Sequence, residues 1–526
     1  MNRINHAIFS IIDDVQSTYL FKLIEKGYLP NLKKLMESGT FSRNCITDFP
    51  AITYPTQNTM ITGTYTGNYL KEPCHGVPLY YWMDRGVKPP RLRDYGTYGS
   101  NQLLQIYKMN DDLGDRCRTL PELVKDGNSA SIVQFINRGV TYSFPERKSQ
   151  LIIYYFMLNY FRNTIKHAFQ ANLVSIKKIL ALFKNPKKFF EQNEPPLVSL
   201  LFFFSSDVLM HLYGYNSRYY KLNLVHIDKM IGLLIKGLSN LGYLEETAII
   251  IVSDHGNYEA KRIGNLGNFL SRNGLKNYYP RKNPKGNINI AEFGGLGFFN
   301  FKAKVNSNAY IWNHPSLEEL KRYGPKKANL LEELFNIDGV RLMYYRESGN
   351  TYNKGKIHLQ TKGNKTREII NGTIEYQGLG KDYKTKYTTE NEIDVFNYLC
   401  DEKASKLIDG KFHTIDEWLE ATYHLDYPLY PDLIPRHFKN PRSADVIVST
   451  CGEVIYNINH GKRKKGTKYT HDIGLRTNSV VPLIIGGSNN IPIHKIKYCK
   501  TTDIVPTIVK MLGLRTHESL IGTSLV

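Results

Sequence analysis

Ala248–Gly256 reads AIIIVSDHG: five apolar residues without polar alternation, then Ser253, Asp254, His255 and Gly256. Such a run is what a strand buried on both faces of a parallel sheet looks like, and here chemistry-bearing residues follow at its carboxyl end. The same form recurs along the chain. Ile8–Ile12 (IFSII) runs into Asp13, Ile132–Ile136 (IVQFI) into Asn137, and Leu200–Phe204 (LLFFF) into Ser205-Ser206-Asp207. Val446–Val448 and Val480–Ile485 close the series, and helical patterns over Tyr19–Glu37, Ser217–Leu241 and Asp503–Leu512 lie between the runs. Alternating strand and helix predicts a doubly wound, mostly parallel α/β sheet.

From Tyr258 to Ala444 this rhythm breaks into Gly- and Pro-rich loops (NYYPRKNPKGN, then GGLG), a strand-like Val340–Tyr345 and a hairpin region through Tyr376. The expectation is an inserted, cap-like subdomain over 258–444, with residues 1–257 and 445–526 forming the core. Ile165, Phe169, Ile176, Leu180 and Phe183 share one helical face, expected to pack over that core rather than lie on a membrane.

Hydrophobic residues make up 41% of the 526, enough for a large core, so global disorder is excluded. Six scattered cysteines form no CxxC pair, which argues against a disulfide framework or a cysteine zinc site and for a reducing, cytoplasmic setting. The apolar run after the N-terminus is too short for a secretory signal, and no stretch approaches the ~20 residues of a membrane span. The 69 Lys+Arg against 48 Asp+Glu give +21, which favours anionic partners such as phosphate esters but does not choose among them. The basic loop Gly461–Lys468 (GKRKKGTK) is read as a solvated loop, close enough to His471 to steer a polyanion. With no GxxxxGK[ST], GxGxxG or zinc-finger spacing, phosphate-loop, dinucleotide and finger readings have no support.

In an open α/β sheet, ligands gather at the carboxyl ends of the strands. Three such ends present Asp13, Asp207 and Asp254-His255, carboxylates that would repel one another without a cation between them. Asp207 and His211 stand four apart in DVLMH, so one helical face carries both. The donor set is O/N-type and suits Zn²⁺ or another first-row divalent ion. For hydrolysis, FPAITYPTQNTMITG (Phe49–Gly63) offers hydroxyl groups running into a helix start, where anions are favoured. The residues alone leave Thr53 and Thr56 both open as nucleophile.

The order Asp13, FPAITYP with its following ITG, His75-Gly76, Asp207…His211, Ser253–Gly256 and a late histidine resembles the alkaline phosphatase superfamily, and within it the type I phosphodiesterase/nucleotide pyrophosphatase family. PNLKKLMESG (Pro30–Gly39) and TTDIVPTIVKMLG (Thr501–Gly513) are similar to segments of that family. The resemblance implies an alkaline-phosphatase-like fold and Thr53 as nucleophile, passing through a phosphothreonine. It implies one metal on Asp13, Thr53, Asp254 and His255, and a second on Asp207, His211 and a late histidine. His471 is chosen over His460 because THDIGLRTNSVVPLII keeps the family's distance to the next strand. The implied cofactors are two divalent ions, zinc first, with manganese or iron admissible. The implied substrate is a small phosphate ester, a nucleotide among the candidates, rather than nucleic acid.

Two departures stand out. Asp13-Asp14 replaces the family's Asp-Gly, an added carboxylate expected to face outward. Tyr80 in HGVPLYYWMD stands where the family's phosphate-binding Asn is expected, and is taken as a substrate contact. The rival readings are a phosphomonoesterase or phosphonate hydrolase on the same site, and a basic binding protein that keeps the fold without turnover.

Overall fold

The computed structural model describes residues 4–95, 105–150, 163–280, 283–306, 309–363, 368–390, 392–457 and 468–526. At its centre His6–Ile12, fully buried, pairs in parallel with Val198–Phe203 on one side and Thr247–Val252 on the other. Ser129–Ile132 and Tyr142–Phe144 extend the sheet in parallel beyond Val198–Phe203. On the opposite flank Val480–Gly487 runs antiparallel between Thr247–Val252 and Thr40–Ile46. His494–Ile496 and Cys499–Lys500 then pair in parallel with Thr40–Ile46. The fold is therefore mostly parallel and α/β, as the apolar runs predict.

A second sheet of seven antiparallel strands holds, in order, Ile288–Phe293, Leu296–Phe301, Val446–Ser449, Leu342–Arg346, Lys354–Lys362, Ile369–Gln377 and Lys384–Thr389. This corrects one expectation. Val446–Val448 reads as a core strand because it too is buried on both faces, but it pairs inside this second sheet. An apolar run reports burial, not which sheet supplies it.

Other local differences have local causes. Tyr19–Glu37 is two helices, Ser17–Glu25 and Pro30–Glu37: Gly27 turns left-handed at φ 75° and Pro30 opens the second helix, where its missing N–H costs nothing. The strand expected over Ile132–Ile136 ends at Ile132, because Val133 takes φ 63°. Thr164–Lys184 is the amphipathic helix expected there and packs on Arg218–Asn240, with Ile176, Ile179 and Phe183 buried. Among the described residues no helix is long and apolar enough to cross a membrane.

The sheets meet around the Phe49 ring, which makes edge contacts with Tyr344 of the second sheet and with Tyr430 and His437 of the Tyr430–Phe438 helix. Phe49 also leads into the Thr53–Thr62 helix, so the second sheet packs directly behind the loop that starts this helix.

Candidate active site

Asp13 follows the central strand and Asp254 follows Thr247–Val252, its parallel neighbour, so both carboxylates emerge at the same edge. Asp207 and His211 lie on Ser205–Tyr213, the helix that follows Val198–Phe203. Thr53 is the first residue of Thr53–Thr62; Pro55 fits that first turn, and Gly63 at φ 66° ends the helix. His471 comes from the segment after Tyr469–Thr470, held in place by pairing with Tyr258–Glu259.

Among the described residues two groups are close enough to share an ion: Asp13, Asp254 and His255, and Asp14, Asp207, His211 and His471. In the first, Nε2 of His255 lies 3.0 Å from the Thr53 hydroxyl, 3.5 Å from Asp13 Oδ1 and 3.7 Å from Asp254 Oδ2. In the second, Asp207 Oδ1 lies 3.1 Å from His211 Nε2 and 3.5 Å from His471 Nε2. The His255 and His471 rings stack at 3.7 Å, bringing the groups side by side.

All three imidazoles are oriented alike. His211 Nδ1 meets the Tyr469 carbonyl at 2.8 Å, His255 Nδ1 the Gly256 carbonyl at 3.2 Å, and His471 Nδ1 the Ala51 carbonyl at 3.3 Å. A carbonyl only accepts, so each Nδ1 donates and each Nε2 turns a lone pair inward, the arrangement that fixes metal-binding histidines. Asp13 Oδ1 and Asp207 Oδ1 are buried without a hydrogen-bond donor. Buried anionic oxygens left unpartnered beside inward lone pairs fit a divalent cation.

Without an ion in place, protons supply part of the positive charge, including on the His211 and His255 nitrogens that an ion would take over. Burial, with the charges of Asp254, Asp207 and Asp14, raises the Asp13 carboxyl well above its ordinary range. Burial lifts Asp14 to about 7 despite His255. At Asp207 burial is overcome by His211 and His471, which hold the carboxyl well below its ordinary range. Burial opposes protonation of His211 and His255, yet Asp207 raises the first to about 9, and Asp254 with Asp14 raises the second to about 9. His471, buried beside His255, is pushed down to about 3. Crowded carboxylates that must retain protons are a site built for compensating positive charge.

The sequence model of the type I phosphodiesterase/nucleotide pyrophosphatase family matches residues 8–329. The chain belongs to this family. It is a hydrolase of the phosphodiesterase/nucleotide pyrophosphatase type. Human ectonucleotide pyrophosphatase/phosphodiesterase 5 is similar in structure over 97% of this chain and 96% of its own, with a TM-score of 0.55 at 13% identity. The murine protein is similar over 97% and 95%, with a TM-score of 0.53 at 13% identity. An inactive threonine-to-alanine variant of it, in complex with AMP, is similar over the same shares at 0.54 and 13%. At that identity the likeness concerns the fold. No curated protein matches the sequence.

Within this family member the structure brings Asp13, Thr53, Asp207, His211, Asp254, His255 and His471 to one sheet edge; His460 lies outside the described residues. Thr56 is buried and its hydroxyl donates to the Ile52 carbonyl at 2.8 Å, which commits it to the helix. The expectation that Asp14 faces outward is overturned: it is 0% exposed and belongs to the second group. Its backbone is left-handed, φ 60°, and its side chain turns into the site. Tyr80 is buried, and its hydroxyl donates to the Glu292 carbonyl of the second sheet. His75 stays behind the Thr53–Thr62 helix, 3.0 Å from the Thr59 hydroxyl, which donates to Asp48 at 2.6 Å.

Sequence reasoning passes over Gln57 and Gln134. Gln57 Nε2 donates to Asp254 Oδ2 at 2.7 Å, and its Oε1 accepts from Gln134 Nε2 at 2.9 Å. One signal existed: Gln57 is four residues after Thr53, on the same helical face.

Proposed function

We propose that this hydrolase cleaves phosphate diesters and nucleotide pyrophosphates with Thr53 as nucleophile and a phosphothreonine intermediate. The observation that carries the reading is the Thr53 hydroxyl, 3.0 Å from a histidine nitrogen on which Asp13 and Asp254 oxygens also converge. Asp13, Thr53, Asp254 and His255 would hold one divalent ion, and Asp207, His211 and His471 a second, zinc being the first choice for this donor set. Two such ions supply Lewis acidity, lowering the pKa of the hydroxyl and neutralising phosphate charge.

Thr53 Oγ1 attacks phosphorus, its proton passing to solvent, and the bond from phosphorus to the leaving oxygen breaks. Water then attacks the phosphothreonine, and the threonine oxygen leaves with a proton. Thr53 opens a helix whose N-terminus favours the anionic phosphate throughout. AMP bound to the murine relative supports a nucleotide as the substrate class. A core of 1–257 and 445–526 with an insert of 258–444 belongs to the same reading, with Val446–Ser449 pairing into the insert's sheet.

The test is acid-quenched turnover of a chromogenic diester, followed by peptide mass spectrometry. A phosphoryl group still carrying the substrate's remaining ester is expected on Thr53, together with a loss of roughly 10⁴-fold or more in rate for Thr53→Ala. Near-normal turnover by Thr53→Ala, with Thr56→Ala dead, would refute it.

A further inference from the structure

We infer that Asp14 is a fourth protein ligand of the ion held by Asp207, His211 and His471. The inference rests on the two-ion reading above and adds a residue to it. Three independent observations carry it.

The first is backbone. Asp14 adopts φ 60°, a left-handed conformation that costs an L-residue about 1 kcal/mol and glycine nothing. A carboxylate kept where glycine fits better is there for its side chain.

The second is its pair of oxygens. Oδ1 accepts from Asn257 Nδ2 at 2.7 Å and lies 3.8 Å from Nδ1 of His255, a residue of the first group. Oδ2 is buried with no hydrogen-bond donor. Leaving an anionic oxygen buried and unpartnered is costly, so a cation is the partner that chemistry supplies. The main chain around it is pinned: Tyr220 donates to the Asp14 carbonyl at 2.6 Å, and the Asp14 N–H donates to Asp254 Oδ1 at 3.2 Å.

The third is geometry and charge. Asp14, Asp207, His211 and His471 each offer one ligand atom, all within 4.8 Å of one another. With Asp14 included, the carboxylates Asp13, Asp14, Asp207 and Asp254 balance the four positive charges of two divalent ions; without it they do not. A second carboxylate in the Asp207 group also makes that site harder, and so better suited to manganese than an Asp-His-His set.

The experiment uses the full chain stripped of metal, with Zn²⁺ and Mn²⁺ as probes, chelator competition for affinity and elemental analysis for stoichiometry. Wild type is expected to bind two ions. Asp14→Gly and Asp14→Asn should each keep one at wild-type affinity and weaken the other at least 10-fold. Metal-free Asp14→Gly should melt no lower than wild type, because strain and a buried charge are both removed, so lost affinity is not misfolding. Combined with Asp207→Asn, Asp14→Gly should leave the remaining ion's affinity unchanged. Unchanged affinities in both single variants overturn the assignment, as does a further loss in the combined variant, which would place Asp14 behind His255 instead. A wild-type chain that binds no ion overturns the two-ion reading and this inference together.

Discussion

Gln57→Leu removes an amide and little volume, and isolates how the first ion site is held in shape. Gln57 and Gln134 are 0% and 3% exposed, so neither can replace the lost partner with water. The substitution deletes a charge-assisted bond to Asp254 Oδ2 at 2.7 Å and a neutral one from Gln134 at 2.9 Å. The first is worth about 1.5–3 kcal/mol and the second about 1, while the amide nitrogen left unpaired on Gln134 costs about 1–3. Because these contributions overlap, destabilisation of about 3 kcal/mol is expected, below their simple sum of about 3.5–7 kcal/mol. Asp254 also loses the group that fixes its orientation, and removing such an outer partner costs roughly 10–100-fold in metal affinity. Thermal denaturation reads the first effect and chelator competition the second. Gln134→Leu should show a smaller version of both, and the double variant should fall short of the sum because the residues share one network. If Gln57→Leu is destabilised while binding both ions at wild-type affinity, the chain from Gln134 through Gln57 to Asp254 only fills the core, and the positioning argument fails.

Three further outcomes are expected. His471→Ala should lower affinity for the ion shared with Asp207 and His211 by orders of magnitude while sparing the other; equal metal content in variant and wild type would remove His471 from the site. Tyr80→Phe should cost about 1 kcal/mol of stability through the lost bond to the Glu292 carbonyl and leave the diester-to-monoester ratio of kcat/KM unchanged; a shifted ratio would restore Tyr80 as a substrate contact. His437 is buried among Phe49, Phe298 and Phe438 with neither ring nitrogen hydrogen-bonded, and burial pushes it down to about 3. The unfolded chain therefore binds the extra proton between about pH 6.5 and 3, so this histidine's contribution is complete above pH 6.5 and is lost as pH falls through that window. At about 1.36 kcal/mol per pH unit, His437→Phe should recover about 2 kcal/mol of the stability that wild type loses between pH 6.5 and 5. Equal melting-temperature losses in variant and wild type over that interval would show the histidine is not responsible.

The apolar runs before Asp13, Asp207 and Asp254 determined, by themselves, a buried parallel sheet and the edge at which its chemistry gathers. They could do so because burial on both faces leaves no room for polar alternation, and because strand ends are where side chains escape the ladder. The i,i+4 pairing of Asp207 with His211 was likewise local. Tertiary structure alone decided the rest. Val446–Ser449 satisfies the rule for a core strand and belongs to the other sheet, since partner choice is not written in a run of valines. His471 lies beyond the residues that match the family model, and reaches Asp207 because Tyr469–Thr470 pairs with Tyr258–Glu259. Asp14 has a left-handed backbone, φ 60°, and its side chain turns into the site. Gln134 meets Gln57 across 77 residues of sequence, a separation over which no periodicity carries information.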